Sequence, residues 1–513
     1  MTTLKYASAS SATSRSSETA LALAALALLS AAFVAVTCAN GWTLWYGDAQ
    51  AHVNIARRVI DSRTPGVYQM GTVWLPLPHA LMLPLVRNDW LWRNGLAGAI
   101  PAALCFVLAG MFLFATARRV FASSAAAWAC LAVFAFNPNL LYLQATPMTE
   151  PMFLLGLAAL LYATVRFGES DSSGWATVAG LAGAAASLTR YDGWFLLPFA
   201  AAFVFGIAKS HGFRKAALFS AIACAGPLYW LAHNLYFWGN ALEFYNGPWS
   251  ARAIYERGLR AGLSRYPGDH NWALAALYFR TAAVSVAGLT PLVIAAPGLL
   301  VALWRRAWWP LWFLALTPLF YLWSMHSGSV PIYVPSLWPH SFYNTRYALA
   351  VLPLLAFAAG AVVLLAPPGP LRGIAALAVA AAALTPWLLR PGPDNWVCWK
   401  ESQVNSAARR AWTAEAAGLF ARDYHGGGIV ACFGDLTGIF ARAGIPLRET
   451  LHEGNVPAWD GAVARPDLML HEQWAVGAKG DSVFRAVGAS PRYALVRAIN
   501  VPGAPTVYIW RRN

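Results

Sequence analysis

Charged side chains are scarce in this chain. Asp, Glu, Lys and Arg supply only 12% of its 513 residues, about half the share that is usual in soluble domains. A soluble protein of this length would need far more charge to cover its surface, so an ordinary globular protein is excluded. Disorder is excluded as well, because 58% of the residues are hydrophobic and 14% are aromatic. The composition therefore predicts an integral membrane protein.

Two further absences argue against nucleic-acid binding and against a cysteine metal site. No long run of basic residues accompanies the net charge of +15, so we attribute this charge to loops beside lipid headgroups and predict no binding of nucleic acid. The six cysteines do not have the spacing of a metal site. Four lie in apolar stretches, and only Cys398 and Cys432 share a polar segment, where they would pair in an oxidising compartment.

Long apolar stretches are what the chain has in abundance, and about 11 of them suit membrane spans, which need about 20 residues each. They lie near residues 20–39, 95–117, 121–142, 148–165, 174–189, 193–208, 216–237, 279–304, 308–325, 347–366 and 373–389. With the N-terminus in the cytoplasm, basic pairs such as Arg118-Arg119 and Arg305-Arg306 fall in inside loops, as the positive-inside rule requires. The predicted fold class is a polytopic α-helical membrane protein.

The charge is unevenly distributed, with 24 of the charged residues in residues 391–513. We therefore predict a membrane domain over residues 1–391, with a long first outer loop at 40–94, and a small soluble α/β domain over residues 392–513. Eleven spans would place this second domain outside the cytoplasm. Its predicted elements are an amphipathic helix at 402–421, a strand at 429–433, a helix at 435–443 and a terminal hairpin at 492–496 and 506–510.

Polar residues gather in the outer loops, and the first of these loops holds the leading candidate. Asp48 and His52 are four residues apart on a predicted interfacial helix, so they share one face. Asp48 is either a cap for that helix or a general base, since both roles suit a carboxylate at a helix start. The pair supplies two ligands where a metal site needs three or four, so a divalent metal has only weak support.

Two arginines on the same predicted side are the second candidates. Arg190 and Arg346 lie among aromatic residues, and a guanidinium there is suited to binding a phosphate through two hydrogen bonds. Glu150 and Asp192 are either salt-bridge partners of these arginines or members of the site. The sequence leaves both roles open.

These landmarks together resemble the GT-C superfamily of membrane glycosyltransferases, which includes protein O-mannosyltransferases and the lipid A aminoarabinose transferase. The resemblance rests on the early Asp48, on the Leu-Thr-Arg-Tyr-Asp-Gly-Trp stretch at 188–194, and on the Arg-Tyr pair at 346–347 with Pro353 at the start of a late helix. It covers most of residues 20–390. Ala49 stands where a second acid follows in the mannosyltransferases, and this difference argues against a metal-dependent mechanism.

The resemblance implies transfer of a hexosyl or pentosyl group from a polyprenyl-phosphate carrier to an acceptor outside the cytoplasm, in a bacterial inner membrane. The acceptor would be a protein, a lipid or a polysaccharide. Asp48 would be the base and Arg190 and Arg346 the phosphate contacts. The supporting residues would be His52, Glu150, Tyr191, Asp192 and Tyr347.

The main alternative is a transporter or flippase of lipid-linked sugar that carries out no transfer chemistry. Such proteins place ionisable residues near the bilayer midplane and often contain internal repeats. Here the centres of the predicted spans are nearly free of charge, and polar residues concentrate at one face. This distribution favours an interfacial enzyme, and a non-catalytic scaffold is the third interpretation.

Overall fold

Apolar helices make up most of the computed structural model, which describes residues 12–328, 330–488 and 490–513. In chain order the first helices are α1 (Ala12–Ala39), α2 (Gly47–Arg58), α3 (Leu77–Met82), α4 (Asp89–Arg93), α5 (Leu96–Phe121), α6 (Ser124–Ala135), α7 (Pro138–Gln144), α8 (Glu150–Ser170), α9 (Ser173–Ser187) and α10 (Tyr191–Ile207). They are followed by α11 (Gly212–Ala223), α12 (Ala225–Trp238), α13 (Glu243–Asn246), α14 (Ala251–Arg260), α15 (Trp272–Ala287), α16 (Leu289–Trp304), α17 (Trp308–His326), α18 (Leu352–Val362) and α19 (Pro370–Leu388). The chain is therefore an integral membrane protein with several spans.

The predicted count of 11 spans is not confirmed. Each predicted stretch is helical, but six helices of the described chain are long and apolar enough to cross a membrane, or eight if two bent pairs are counted as one span each. Helices α9 and α10 have 15 and 17 residues, which is shorter than the roughly 20 that a bilayer requires. Helix α17 contains four Trp and two Pro, and these residues lower its hydropathy.

Two joints explain the bent pairs. Pro138 is the first residue of α7 and cannot continue the hydrogen bonding of α6, so the two helices meet at 68°. Gly288 joins α15 to α16 at φ 88° and ψ 146°, a conformation that L-residues rarely adopt. These two helices meet at 106°, so the predicted span at 279–304 is not one straight helix.

The two ends of the helix bundle carry different charges. Glu169, near the end of α8, lies 3.0 Å from Arg119 Nη1 and 3.2 Å from Arg166 Nε. Glu150 is the first residue of α8, and with a rise of about 1.5 Å per residue it lies about 30 Å away, roughly the thickness of a bilayer core. Arg119 and Arg166 therefore lie at one end of the bundle and the candidate site lies at the other. Which end faces the cytoplasm stays a prediction.

The C-terminal part is a small α/β unit, as predicted. Its strands are β1 (Ile429–Ala431), β2 (Thr450–Leu451), β3 (Trp474–Ala478), β4 (Tyr493–Ile499) and β5 (Val507–Arg512), in the order β2-β1-β3-β5-β4. Strand β1 is parallel to β2 and β3, whereas β5 is antiparallel to β3 and β4 and forms the expected terminal hairpin. The helices of this part are α20 (Val397–Asn405), α21 (Ala407–Asp423), α22 (Thr437–Ala443), α23 (Ala458–Ala464), α24 (Pro466–Met469) and α25 (Ser482–Val487).

One predicted helix of this part is wrong. The amphipathic helix at 402–421 is two helices, α20 and α21, which meet at Ser406. They bury their apolar side chains in different places, because Cys398 and Trp399 of α20 join the core of the membrane helices, whereas Phe420 of α21 joins the core beneath the sheet. The composition changes at residues 390–393, but packing against the membrane helices continues through α20.

The first outer loop connects the membrane part to the sheet. Val53 of α2 and Trp92 of α4 share a buried cluster with Phe440 of α22. Polar contacts cross the same interface, where Arg448 Nη1 donates to Asp61 Oδ1 at 3.1 Å. The C-terminal unit therefore rests directly on the loop that carries Asp48.

The expected cysteine pairing does not occur in the structure. Cys398 lies in α20 and Cys432 follows β1, and both thiols are free. They pack in separate hydrophobic clusters, so the two chain segments do not bring their sulfur atoms together.

Candidate active site

Arg346 lies at the centre of a group of carboxylates. It is the second residue of a 3-10 turn, Thr345–Val351, that continues directly into α18. Its Nε donates to Glu150 Oε1 at 3.1 Å and its Nη1 donates to Glu401 Oε1 at 3.3 Å. Its Nη2 donates to Asp48 Oδ2. One guanidinium thus links α2, α8 and α20.

Arg190 lies next to this group, directly before the first residue of α10. Its Nη1 donates to Thr149 Oγ1 at 2.9 Å and to Glu150 Oε1 at 3.1 Å, and its Nη2 donates to Tyr321 Oη at 2.7 Å. Its Nε lies 3.5 Å from Asp192 Oδ1. Glu150 Oε1 therefore accepts hydrogen bonds from both candidate arginines.

Tyrosine rings cover the faces of the two guanidiniums. The Cζ atoms of Arg190 and Arg346 lie 4.9 and 4.7 Å from the centre of the Tyr347 ring, and Arg346 Cζ lies 5.2 Å from the centre of the Tyr46 ring. Tyr321 stacks on Tyr347 with their centres 5.2 Å apart. These rings exclude water from the arginines and attract their positive charge.

A small pocket opens onto this cluster. It is lined by Glu150, Phe153, Leu154, Arg190, Asp192, Thr317, Tyr321, Arg346, Tyr347, Leu349 and Ala350. Glu150 Oε2 is buried and accepts no hydrogen bond from the described residues. A buried oxygen of this kind is suited to accept a hydrogen bond from a hydroxyl group of a ligand.

Asp48 differs from the other carboxylates because it reaches solvent. Its side chain is 38% exposed, compared with 7% for Glu150 and 3% for Glu401. It is the second residue of α2, whose N-cap is Tyr46, so it does not cap the helix. The Asp48 carboxylate is therefore open to solvent on one side, while Arg346 holds it from the protein side.

Two of the predicted site residues lie outside this cluster. His52 is buried, and its Nδ1 lies 2.9 Å from His79 Nε2, so its hydrogen-bond partner is another histidine and not Asp48. Tyr191 donates through its hydroxyl to the carbonyl oxygen of Val73 at 2.7 Å. Both side chains support the outer loop, whereas the other candidate residues lie together around the two guanidiniums: Asp48, Glu150, Arg190, Asp192, Arg346 and Tyr347.

The buried histidine pair gives a testable pH dependence. Burial, together with the positive charges of Arg190 and Arg346, lowers the pKa of His52 to about 3. In the unfolded chain a histidine takes up a proton near pH 6.5. Between about pH 6.5 and 3 the unfolded state therefore binds a proton that the folded state does not, so folding stability falls as the pH falls.

We expect the free energy of unfolding of the purified protein to fall on acidification from pH 7 to 4.5, by up to about 1.4 kcal/mol per pH unit for each such histidine, and the unfolding temperature to fall with it. The His52→Gln variant should have a weaker dependence, and the exposed His340→Gln variant should match the wild type. Equal pH dependence in all three proteins would contradict this account.

Glu401 and Tyr321 belong to this cluster but were not predicted from the sequence. Glu401 was assigned to the soluble tail, and Tyr321 lies in the middle of an apolar stretch, where its hydroxyl also donates to Asp192 Oδ2 at 3.1 Å. The only signal near Glu401 is the pair Trp396 and Trp399, which is typical of a membrane interface rather than of a soluble domain.

The divalent metal considered in the sequence analysis has no suitable set of ligands in the described part of the chain. Residues 12–328, 330–488 and 490–513 contain no group of three or more His, Cys, Asp or Glu side chains arranged to hold a metal ion. The carboxylates that converge near Asp48 surround Arg346, which provides the positive charge between them.

The membrane helices, the long first outer loop and the C-terminal unit resting on that loop form a fold that is shared with known structures, and this shared fold agrees with the resemblance found in the sequence. Two solved structures that share the fold are crystal structures of ArnT from Cupriavidus metallidurans, one bound to undecaprenyl phosphate and one in the apo state. Both are 15% identical to this chain and cover 93% of it and 97% of the ArnT chain, with TM-scores of 0.54 and 0.55.

A comparison with protein-family models matches a shorter part of the chain. The family model described as dolichyl-phosphate-mannose-protein mannosyltransferase matches residues 91–230, a segment that includes Glu150, Arg190 and Asp192. No curated protein sequence matches the chain. The similarity to ArnT thus concerns the fold alone. Any role proposed for an individual side chain rests on its contacts in this chain.

Proposed function

We propose that the chain is a membrane glycosyltransferase that moves a sugar from a polyprenyl-phosphate carrier to an acceptor hydroxyl. One observation carries the proposal: a partly exposed carboxylate, Asp48, is paired with a buried guanidinium, Arg346, at one end of the membrane helices. Displacement at an anomeric carbon needs these two groups, a base for the incoming hydroxyl and a positive charge for the departing phosphate. The undecaprenyl phosphate bound by ArnT supports the same class of donor.

Donor binding has to compete with the carboxylates. Arg346 already uses four of its five N–H groups, on Glu150, Glu401, Asp48 and the Tyr347 hydroxyl. A phosphate therefore gains more than one hydrogen bond from Arg346 only by taking an N–H group from a present partner. Asp48 is the most exposed of the three acids, so its contact is the easiest to exchange with solvent or substrate.

This exchange would prepare the base for its task. Once the donor phosphate takes the Nη2 group of Arg346, Asp48 loses its counter-ion and becomes free to accept a hydrogen bond from the acceptor hydroxyl. The order of binding that follows is donor first and acceptor second. Arg190, which keeps contact with Glu150, would then meet the phosphate from its other side.

The reaction itself requires one proton transfer and one displacement. The acceptor hydroxyl gives its proton to Asp48 while its oxygen bonds to the anomeric carbon. The bond between that carbon and the phosphate oxygen breaks, and its electron pair leaves with the polyprenyl phosphate. Arg346 and Arg190 stabilise the charge that develops there. Attack opposite the departing phosphate gives inversion at the anomeric carbon.

The compartment and the partners belong to the same proposal. The arginines at the end of the bundle opposite the site favour, by the positive-inside rule, an outward-facing site in a bacterial inner membrane. The acceptor is a hydroxyl of a protein, a lipid or a polysaccharide that reaches this face. The C-terminal unit, which rests on the loop bearing Asp48, would form one wall of the acceptor path.

Turnover by the purified protein tests the proposal. The protein, in nanodiscs, is given polyprenyl-phosphate donors with radiolabelled hexose or pentose, and the label released or transferred is measured under single-turnover conditions. Transfer or hydrolysis of a labelled sugar is the expected result. Saturable movement of intact donor across proteoliposomes without cleavage would overturn the proposal and favour a flippase.

A further inference from the structure

Glu401 is a buried acid with no role assigned so far beyond its contact with Arg346. It lies in α20, the first α-helix after the last membrane span, and only 2% of the residue is exposed. Burying a carboxylate is costly unless several donors surround it. Burial raises the pKa of Glu401, and the positive charge of Arg346 and nearby N–H groups act in the opposite direction. A buried carboxylate that is surrounded by several donors is suited to hold the groups that donate to it in fixed positions.

The donors around Glu401 all come from one short segment. Its Oε1 accepts from the backbone N–H of Asn344 at 2.9 Å and from Arg346 Nη1 at 3.3 Å. Its Oε2 accepts from the backbone N–H of Thr345 at 2.8 Å and also from the Thr345 hydroxyl. Two backbone groups, one hydroxyl and one guanidinium of three consecutive residues thus converge on a single carboxylate.

These contacts cap the helical segment that carries Arg346. The first N–H groups of a helix have no partner within it, and the N-cap residue here, Asn344, makes no side-chain cap of its own. Asn344 has φ 55°, a left-handed conformation that needs support from its surroundings. Glu401 supplies the missing cap from a distant helix and at the same time binds the arginine that follows.

Glu401 also fixes the direction of the guanidinium. Arg346 is held through Nε by Glu150 and through Nη1 by Glu401, and these two contacts define the plane of the group. Its Nη2 atom is thereby directed at Asp48. If either Glu150 or Glu401 were replaced, the Arg346 side chain would be free to rotate away from the position in which it contacts the donor phosphate.

We propose that Glu401 is a positioning residue of the transferase site, which caps the Thr345–Val351 turn and orients Arg346 toward the donor phosphate and Asp48. This inference rests on the proposed sugar transfer and adds a residue that contacts neither donor nor acceptor. Its effect on catalysis passes entirely through Arg346. Misplacing a reacting group by about 1 Å costs about 10²-fold in rate, and this is the loss expected for Glu401→Gln.

A double-mutant cycle tests whether Glu401 affects the rate of transfer through Arg346. Single-turnover rates are measured for the wild type, Glu401→Gln, Arg346→Met and the double variant, with the labelled donor that the wild type uses. Because Glu401 acts through Arg346, the second substitution should change the rate of Arg346→Met by less than about threefold. Multiplication of the two separate losses would overturn the proposal, since a merely structural role gives that result.

The matched control is Glu415→Gln in α21. Glu415 lies in the same C-terminal part, pairs with Arg497 at 2.6 Å and has a side chain that is 43% exposed. Its replacement should leave the rate within twofold of the wild type and combine with Arg346→Met without coupling. If Glu401→Gln does not fold, Glu401→Asp, which keeps the charge, replaces it in the cycle, with an expected loss of about tenfold.

The outcomes separate the two proposals. A wild type that cleaves no lipid-linked sugar overturns the proposed function, and the positioning role falls with it. A wild type that transfers sugar, together with an uncoupled cycle, overturns only the role of Glu401. Coupling between Glu401 and Arg346, with no coupling in the Glu415 cycle, supports both.

Discussion

Asp48→Asn is expected to lower the rate of sugar transfer by about 10²- to 10⁴-fold, the range usual for loss of a general base. Asparagine has nearly the same shape as aspartate but cannot take a proton from the acceptor hydroxyl. The substitution also removes the ion pair with Arg346, so the donor phosphate meets less competition. Donor affinity should therefore stay the same or rise while the rate of transfer falls.

Single-turnover rates and donor binding measured on the same preparation check this prediction. Asp89→Asn is the matched control, because Asp89 lies in the same outer loop, is 55% exposed at its side chain and also pairs with an arginine, Arg57, at 2.8 Å. The control should transfer sugar at the wild-type rate. If Asp48→Asn does so too, Asp48 is not the base.

Arg346→Met is expected to lower kcat/KM by about 10²- to 10³-fold, the usual cost of removing one group that stabilises charge in a transition state. Methionine is similar in length but carries no charge and no donors. Glu150 and Glu401 would then lose their shared partner in a buried place, so the unfolding temperature should fall as well. Unlike Asp48→Asn, this variant should bind the donor more weakly.

The opposite effects on donor binding make the two variants informative together. Arg346→Lys keeps the charge without the planar fork and should recover part of the stability but little of the rate. Arg252→Met is a suitable control, because Arg252 is exposed and pairs only with nearby groups of its own segment. Unchanged donor binding in Arg346→Met would remove Arg346 from the phosphate site.

Much of this site was predictable because charge is rare in the membrane part. Asp48, Arg190 and Arg346 stand out among apolar neighbours. A charged side chain at the end of a membrane helix has to contact other polar groups or water. Periodicity and hydropathy also predict where helices lie. They do not predict the breaks at Pro138 and Gly288 as bends of a given angle, because the direction of a bend depends on what the second helix packs against.

The residues that were missed depend on contacts between distant parts of the chain. Glu401 was assigned to a soluble tail because the composition changes just before it, yet Cys398 and Trp399 beside it pack with the membrane helices. His52 was placed with Asp48 because four residues separate them, yet its hydrogen-bond partner is His79. Spacing along a helix shows which residues share a face; it does not show what that face meets.

The position of Glu401 in the chain has a consequence for how the protein is made. Asp48 leaves the ribosome hundreds of residues before Glu401, and the cap on the Thr345–Val351 turn exists only once α20 has been synthesised and docked. Earlier nascent chains would hold Asp48 and Arg190 without a fixed Arg346. On the proposed function, the membrane helices would thus be inserted in an inactive form, and donor lipids in the same bilayer would not be consumed until α20 has docked.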